Sequence, residues 1–215
     1  MNQDMAKPPQ ALKDELLREI AARGGVKRYA AQTVLINEGD QADTLFIVLS
    51  GRVKVYAANE AGREVILTTL GAGDYVGELA LDGGMRSASV MTLEPTTCAV
   101  VAGANLREFI VAHPDFAQHL IVDLIRRVRR LTDSVKSLAL EDVYSRIVGL
   151  LQSLAETDAE GRRTVPQKLT QQDIAEHVGS SREMVSRVFK ELTIGGYVAL
   201  EAGRIVILKT PPAAW

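Results

Sequence analysis

Apolar positions along the chain fall into three successive patterns. Between Ala11 and Arg23, Leu12, Leu16, Leu17, Ile20 and Ala21 recur at helical spacing and Gly24-Gly25 ends the run, which predicts a short amphipathic helix. The segment ahead of it, Met1 to Gln10, is polar with Pro8-Pro9 and reads as a loose lead-in. From Val26 to about Ala102 short apolar runs alternate with turn signals. The runs are Thr33–Ile36, Leu45–Leu49, Val53–Tyr56, Val65–Leu67, Ser89–Thr92 and Cys98–Val101, separated by Gly, Asp, Asn and Pro clusters. Several short strands at this spacing predict a β sandwich or barrel rather than a parallel sheet.

The third pattern is helical. Asn105 to Ala112 reads as one helix, halted near His113-Pro114, and Asp115 to Leu138 as a longer one. In the longer helix Ile121, Leu124, Val128, Leu131, Val135 and Leu138 are spaced 3, 4, 3, 4 and 3 residues apart, a heptad seam flanked by Arg126, Arg127, Arg129, Arg130 and Asp133. Such a seam fits pairing with a second copy as a two-fold dimer, or packing on its own domain. Asp142 is an N-cap for a further helix, Val143 to Glu156, followed by a polar loop from Thr157 to Arg163. The divisions are therefore 1–114, 115–139 and 140–215.

Toward the C-terminus the sequence predicts a pair of short helices. Thr170 with Asp173 opens the first and Gly179 closes it; Ser180 and Glu183 stand at capping-box spacing before the second. Two short helices joined by a glycine-bearing turn are a helix-turn-helix pattern. At about 100° per residue, Arg182, Glu183, Ser186, Arg187 and Lys190 fall within an arc of roughly 140°, with Val185, Val188 and Leu192 opposite. Arginine pairs with guanine and glutamate accepts from cytosine in a major groove; the same charges also suit a solvated helix face. Thr170 and Gln171 at the first helix start and Ser181 at the second complete the candidate DNA-contact set. Tyr197–Leu200 and Arg204–Leu208 read as a hairpin, a wing whose Arg204 or Lys209 would touch phosphate.

Composition narrows the setting. The chain has 215 residues, 47% hydrophobic and 24% charged, and a formal net charge of −2, so any nucleic-acid contact must come from a local patch. A single cysteine, Cys98 within an apolar run, excludes an internal disulfide and favours a cytoplasmic setting. No stretch approaches the roughly 20 apolar residues of a membrane span, and no signal peptide is expected from the N-terminal residues.

Asp74 to Val90 carries the candidate ligand chemistry. Glu78, Arg86 and Ser87 stand among the small residues Gly77, Gly83, Gly84 and Ala88. A planar guanidinium matches phosphate oxygens, and a glutamate accepts from a ribose 2′-OH. The same residues would suit a charged surface loop.

Taken together, these segments resemble the cyclic AMP receptor protein and FNR-type (CRP/FNR) regulator family from about Tyr29 to Leu208. The motifs are Gly77-Glu78-Leu79 with Arg86-Ser87-Ala88, Ser181-Arg182-Glu183 with Val185 and Arg187, and Leu138 to Val143 at a hinge. The resemblance implies an α+β fold: an N-terminal cyclic-nucleotide-binding β-roll, jelly-roll-like; a long dimerisation helix; and a C-terminal winged helix-turn-helix. It implies a bacterial, cytoplasmic, homodimeric transcription regulator, not an enzyme, without catalytic residues or metal. Glu78 would hold the ribose 2′-OH, and Arg86 and Ser87 the cyclic phosphate, with Ala88 beside them. Gly77 would let the backbone approach, Val55, Leu67, Leu70 and Leu79 would line the pocket, and Arg127 would sit near the ligand. Arg182, Glu183 and Arg187 would read TGTGA-like half-sites in an inverted repeat, and the loop Thr157 to Arg163 would face RNA polymerase.

In the cyclic-AMP-binding members two adjacent hydroxyl residues on the dimer helix contact the adenine; the matching positions here are Leu131 and Thr132. One hydroxyl is missing, so cyclic GMP, cyclic di-GMP or no effector stand as alternatives to cyclic AMP. An iron–sulfur cluster needs several cysteines. Heme would need a histidine within the β module, and His113, His119 and His177 all lie outside it. A metal-dependent cupin-type enzyme, also a small β barrel, is disfavoured by the same lack of histidine.

Overall fold

The structure, a computed structural model, describes residues 10–157 and 161–212. The N-terminal lead-in ahead of Gln10, the side chain of Leu12, and Asp158 to Glu160 of the predicted polar loop lie outside the described residues.

Two compact units are present: the described residues up to Ala57 together with Leu67–Val128, and Ala58–Ile66 together with the described residues from Arg129 onward. The first unit begins with helix α1 (Gln10–Ala21) and strands β1 (Gly25–Tyr29), β2 (Val34–Ile36), β3 (Thr44–Ser50), β4 (Arg52–Ala58), β5 (Glu64–Gly71) and β6 (Tyr75–Val76). A 3-10 turn (Glu78–Leu81), β7 (Ser89–Thr92) and β8 (Thr96–Ala102) follow, then α2 (Gly103–Ala112) and α3 (Pro114–Leu140); Ala58 of β4, Glu64–Ile66 of β5 and α3 from Arg129 onward belong to the second unit. The strands form two sheets, ordered β1-β8-β3-β6 and β2-β7-β4-β5.

The unbroken apolar runs of β3 and β8 follow from burial on both faces, since successive side chains point to opposite sides of a strand. Phe46, Val48 and Cys98 point between the sheets, where they meet Ile36, Val53, Leu70, Val76 and Val90. Leu45, Ile47, Ala99 and Val101 point the other way, onto Leu17 and Ile20 of α1, Leu106 and Phe109 of α2, and Phe116 and Leu120 of α3. One sheet thus serves two cores.

The second unit holds α4 (Val143–Leu154), β9 (Glu156–Thr157), β10 (Arg163–Thr164), α5 (Gln171–Val178), α6 (Arg182–Ile194), β11 (Val198–Glu201) and β12 (Arg204–Ile207). Its core joins Ile147 and Leu151 of α4, Ile174 and Val178 of α5, Val185 and Leu192 of α6, and Ile205 of β12. The expected N-cap is present: Asp142 Oδ1 accepts from Ser145 N at 2.7 Å, and hydrogen bonding to Ser145, with the Arg146 charge, holds its carboxyl below its usual pKa.

Three local readings need correction. The polar loop from Thr157 to Arg163 is a hairpin at its ends, since Arg163 pairs with Thr157 and Thr164 with Glu156. It joins the wing in a sheet ordered β11-β12-β10-β9. Strands β1 and β6 were not expected. Most of β1 is exposed and shows no alternation, its existence resting on pairing with β8; β6 has only two residues. The second helix of the helix-turn-helix is capped by Ser181, not Ser180: Ser181 Oγ accepts from Met184 N at 3.2 Å.

Candidate functional site

Strand β6 pairs with β3, Tyr75 opposite Ile47 and Val76 opposite Phe46, and delivers Gly77-Glu78 to the edge of its sheet. Gly77 is left-handed, with φ 94° and ψ 23°. A Cβ there would lie 2.7 Å from the Thr44 carbonyl oxygen and 2.8 Å from Arg86 Nη1. Glycine is required on both counts: the dihedral is strained for other residues, and the space is taken.

Arg86 arrives from a loop stitched to its neighbour. Its amide donates to Asp40 O at 2.8 Å, its carbonyl accepts from Gly39 N at 2.9 Å, and Ala42 N donates to Gly84 O at 2.9 Å. The side chain is buried at 5% exposure. Nη1 donates to Gly77 O at 3.1 Å; Nη2 donates to Thr44 O at 2.7 Å and Thr44 Oγ1 at 3.0 Å, with Asp43 Oδ1 at 3.8 Å. Burial pulls the guanidinium pKa down, opposed by Asp43, Glu78 and Asp40. A guanidinium has five N–H donors, and the Nε–H makes no bond to the described residues.

Glu78 opens the 3-10 turn. Its Oε1 pairs with Arg127 Nη1 of α3 at 3.0 Å, while Oε2 is buried with no hydrogen-bond partner among the described residues. A buried carboxylate oxygen left unsatisfied is costly, so an acceptor waiting at this point is a functional signal. Arg127 is itself held, Nη2 donating to Tyr75 O at 2.8 Å with Cζ 5.0 Å from the Tyr75 ring centroid.

Gly77, Glu78, Arg86 and Arg127 are thus linked by direct contacts. Leu70 is in the inter-sheet core and Val55 packs against it. Leu79 and Ala88 are half-buried, and Ser87 is exposed. Leu67 is 40% exposed. Leu131 and Thr132 lie in the portion of α3 that belongs to the second unit, and both are exposed. Thr44, Tyr75 and Asp123 were not singled out from the sequence. Asp123 stands four residues after His119 and three before Arg126, helical ion-pair spacings that the sequence carries, but nothing local marks Thr44.

The second unit presents the other candidate surface. Helix α5 starts with a complete capping box, Thr170 Oγ1 accepting from Asp173 N at 3.1 Å and Asp173 Oδ2 accepting from Thr170 N at 2.7 Å. Gly179 ends it at φ 61°. On α6, Arg182, Glu183, Ser186, Arg187 and Lys190 are all exposed, with Val185, Val188, Phe189 and Leu192 buried behind them. Thr170 and Ser181 are exposed and serve as caps, and Gln171 is half-buried. Hydrogen bonding at the helix start and Arg182 hold the Glu183 carboxyl below its usual pKa, so it is a carboxylate. Arg204 and Lys209 of the wing are exposed.

Along α3, Ile121, Val128, Leu131, Val135 and Leu138 are 48–65% exposed, whereas Leu124 packs partly against the α1–α2 core. No group of three or more metal-ligating side chains occurs among the described residues, and no described helix is long and apolar enough to cross a membrane.

Comparison with known proteins places these two surfaces in context. Residues 26–113 match the family model of the cyclic nucleotide-binding domain, and residues 145–211 that of the Crp-like helix-turn-helix domain. The cAMP-activated global transcriptional regulator CRP of Pasteurella multocida is 34% identical over 192 residues, covering 86% of this chain and 90% of that protein. The CRP-like cAMP-activated global transcriptional regulator of Mycobacterium tuberculosis is 34% identical over 174 residues, covering 79% and 78% respectively. Among solved structures, the c-di-GMP responsive global regulator CLP of Xanthomonas campestris superposes with a TM-score of 0.79 at 29% identity, covering 92% of this chain and 100% of that one.

Proposed function

This chain belongs to the CRP/FNR family of transcription regulators, and from that premise we propose that it is a homodimer gated by cyclic AMP that binds inverted repeats of TGTGA-like half-sites. In its general form the function is that of a cyclic-nucleotide-responsive DNA-binding regulator; it is not an enzyme. The carrying observation is Glu78 Oε2, buried with no hydrogen-bond partner among the described residues and held beside Arg127 in the loop that also receives Arg86. That oxygen accepts the ribose 2′-OH. Arg86, steadied by two backbone carbonyls, and Ser87 take the cyclic phosphate.

Because Glu78 belongs to the β-roll and its ion-pair partner Arg127 to α3, a ligand there favours one arrangement of that helix over another. Homodimerisation is supported by the exposed aliphatic ladder of α3, since apolar surface of that kind gains free energy when a second copy covers it. A two-fold axis would set the recognition helices about 34 Å apart, one turn of DNA. The resemblance assigns the loop Thr157 to Arg163 to RNA polymerase contact. DNA binding of this kind belongs in the bacterial cytoplasm.

A second reading, cyclic di-GMP as effector, is favoured by Leu131, which stands where the adenine-contacting members carry a hydroxyl, and by the likeness to a c-di-GMP responsive regulator. Calorimetric titration with cyclic AMP, cyclic GMP and cyclic di-GMP separates the readings. Fluorescence anisotropy on an inverted-repeat duplex, with and without the bound nucleotide, then tests the gating. Arg86→Leu should abolish the nucleotide response; a full response in that variant rejects the pocket.

A further inference from the structure

Asp123 lies on α3 one turn before Arg127, with its side chain 14% exposed. Both oxygens are engaged. Oδ1 accepts from Arg126 Nη1 at 3.1 Å; Oδ2 accepts from the Tyr75 hydroxyl at 3.2 Å and faces His119 Nε2 at 3.3 Å. Tyr75 is 1% exposed, in the same cluster as Ile47, Phe116 and Leu120. Burial, reinforced by the Asp123 charge, raises its phenol well above its usual pKa, so the hydroxyl stays a donor.

Packing alone does not account for this pair. Phenylalanine would fill the same cluster without bringing a polar atom into it, and a buried hydroxyl costs free energy unless it is bonded. What the pair adds is direction. It ties β6, the strand that leads into Gly77-Glu78, to the turn of α3 that carries Arg127. Tyr75 also meets Arg127 twice, through its carbonyl at 2.8 Å and its ring face at 5.0 Å, and Arg127 in turn meets Glu78 at 3.0 Å. A continuous path runs from Asp123 through Tyr75 and Arg127 to Glu78.

We infer that Tyr75 and Asp123 are positioning residues of the nucleotide site, holding Arg127 on one oxygen of Glu78 so that the other stays open for the ligand. The inference rests on the cyclic-nucleotide reading of the site. Neither residue touches the ligand; both act through Arg127.

The test is a double-mutant cycle on the full chain, read as nucleotide affinity by calorimetry. Tyr75→Phe keeps the ring, the carbonyl and the apolar contacts and removes only the tether. It should weaken binding about three- to tenfold, the worth of one hydrogen bond. Arg127→Lys replaces the planar fork with a flexible ammonium that does not depend on the Tyr75 face and carbonyl. In that background Tyr75→Phe should have no further effect. Equal losses from Tyr75→Phe in both backgrounds would reduce the pair to general stabilisation and overturn the inference. So would a Tyr75→Phe protein that binds like the wild type. Should the wild type bind none of the three cyclic nucleotides, the reading of the site falls and takes this inference with it.

Discussion

Replacing Gly77 with alanine isolates the physics of the ligand loop. Two penalties follow from the geometry. A left-handed backbone costs a non-glycine residue roughly 1–2 kcal/mol, and Gly77 sits at φ 94°. The added Cβ would also stand 2.7 Å from Thr44 O and 2.8 Å from Arg86 Nη1. Relief requires the loop to move off Thr44 or Arg86 to swing away, breaking a hydrogen bond to a charged group worth about 1.5–3 kcal/mol. The sum is about 2.5–5 kcal/mol, and at about 2–4 °C per kcal/mol for a chain of this size the unfolding midpoint falls by roughly 10 °C. Gly73 supplies the control: its φ is +85°, but a Cβ there meets nothing within 4 Å. Gly73→Ala should therefore show only the backbone share, roughly 1–2 kcal/mol, and leave nucleotide affinity unchanged. Scanning calorimetry of both variants, followed by nucleotide titration, makes the comparison. Equal destabilisation by the two substitutions, or unimpaired nucleotide binding in Gly77→Ala, would refute the argument that Thr44, Gly77 and Arg86 form one packed unit.

Three further outcomes are expected. Val135→Glu places a charge in the exposed α3 ladder and should convert the dimer to monomer in sedimentation velocity; a monomeric wild type would remove the dimer proposal. Arg182→Ala should relax base preference by about 1–3 kcal/mol at one position, whereas Lys190→Ala should weaken all duplexes alike and lower the salt slope by about 0.9; identical losses on specific and random DNA from both would contradict that division. Burial pushes the Cys98 thiol up to about 11. Its thiolate fraction at pH 8 is therefore about one in a thousand, and a disulfide reagent should label it only on unfolding. An unfolded thiol ionises near its usual value of about 8.5 while the folded one does not, so this group's contribution to stability falls as pH rises from there toward about 11. Urea titrations of the wild type and Cys98→Ala across that range should converge as pH increases, and parallel curves would count against a buried thiol.

Much of this protein was legible along the chain because its signals are local. Strand runs at β3 and β8, the Thr170–Asp173 capping box, the Asp142 cap and the apolar and polar faces of α6 all arise from side chains within about one helical turn or one strand of each other. The heptad spacing in α3 likewise identified an apolar stripe, and five of its six members are exposed on the isolated chain. The motif residues Gly77, Glu78 and Arg86 were marked by chemical type and by resemblance.

Tertiary structure alone decided how those residues are held. Thr44, 42 positions before Arg86, supplies two of the guanidinium's acceptors because the register of β3 brings it there. Tyr75 reaches Arg127 across 52 positions, and the hydroxyl of Tyr75 reaches Asp123 across 48. Leu124 turned inward against the core while its neighbours in the seam stayed exposed. Strand β1 exists only by pairing with β8, since its own side chains bury little. Sequence patterns carry propensity and periodicity, which are set by nearest neighbours. Hydrogen-bond partners and burial at separations of tens of residues are set by sheet register and helix docking, and these are settled only when the whole core packs.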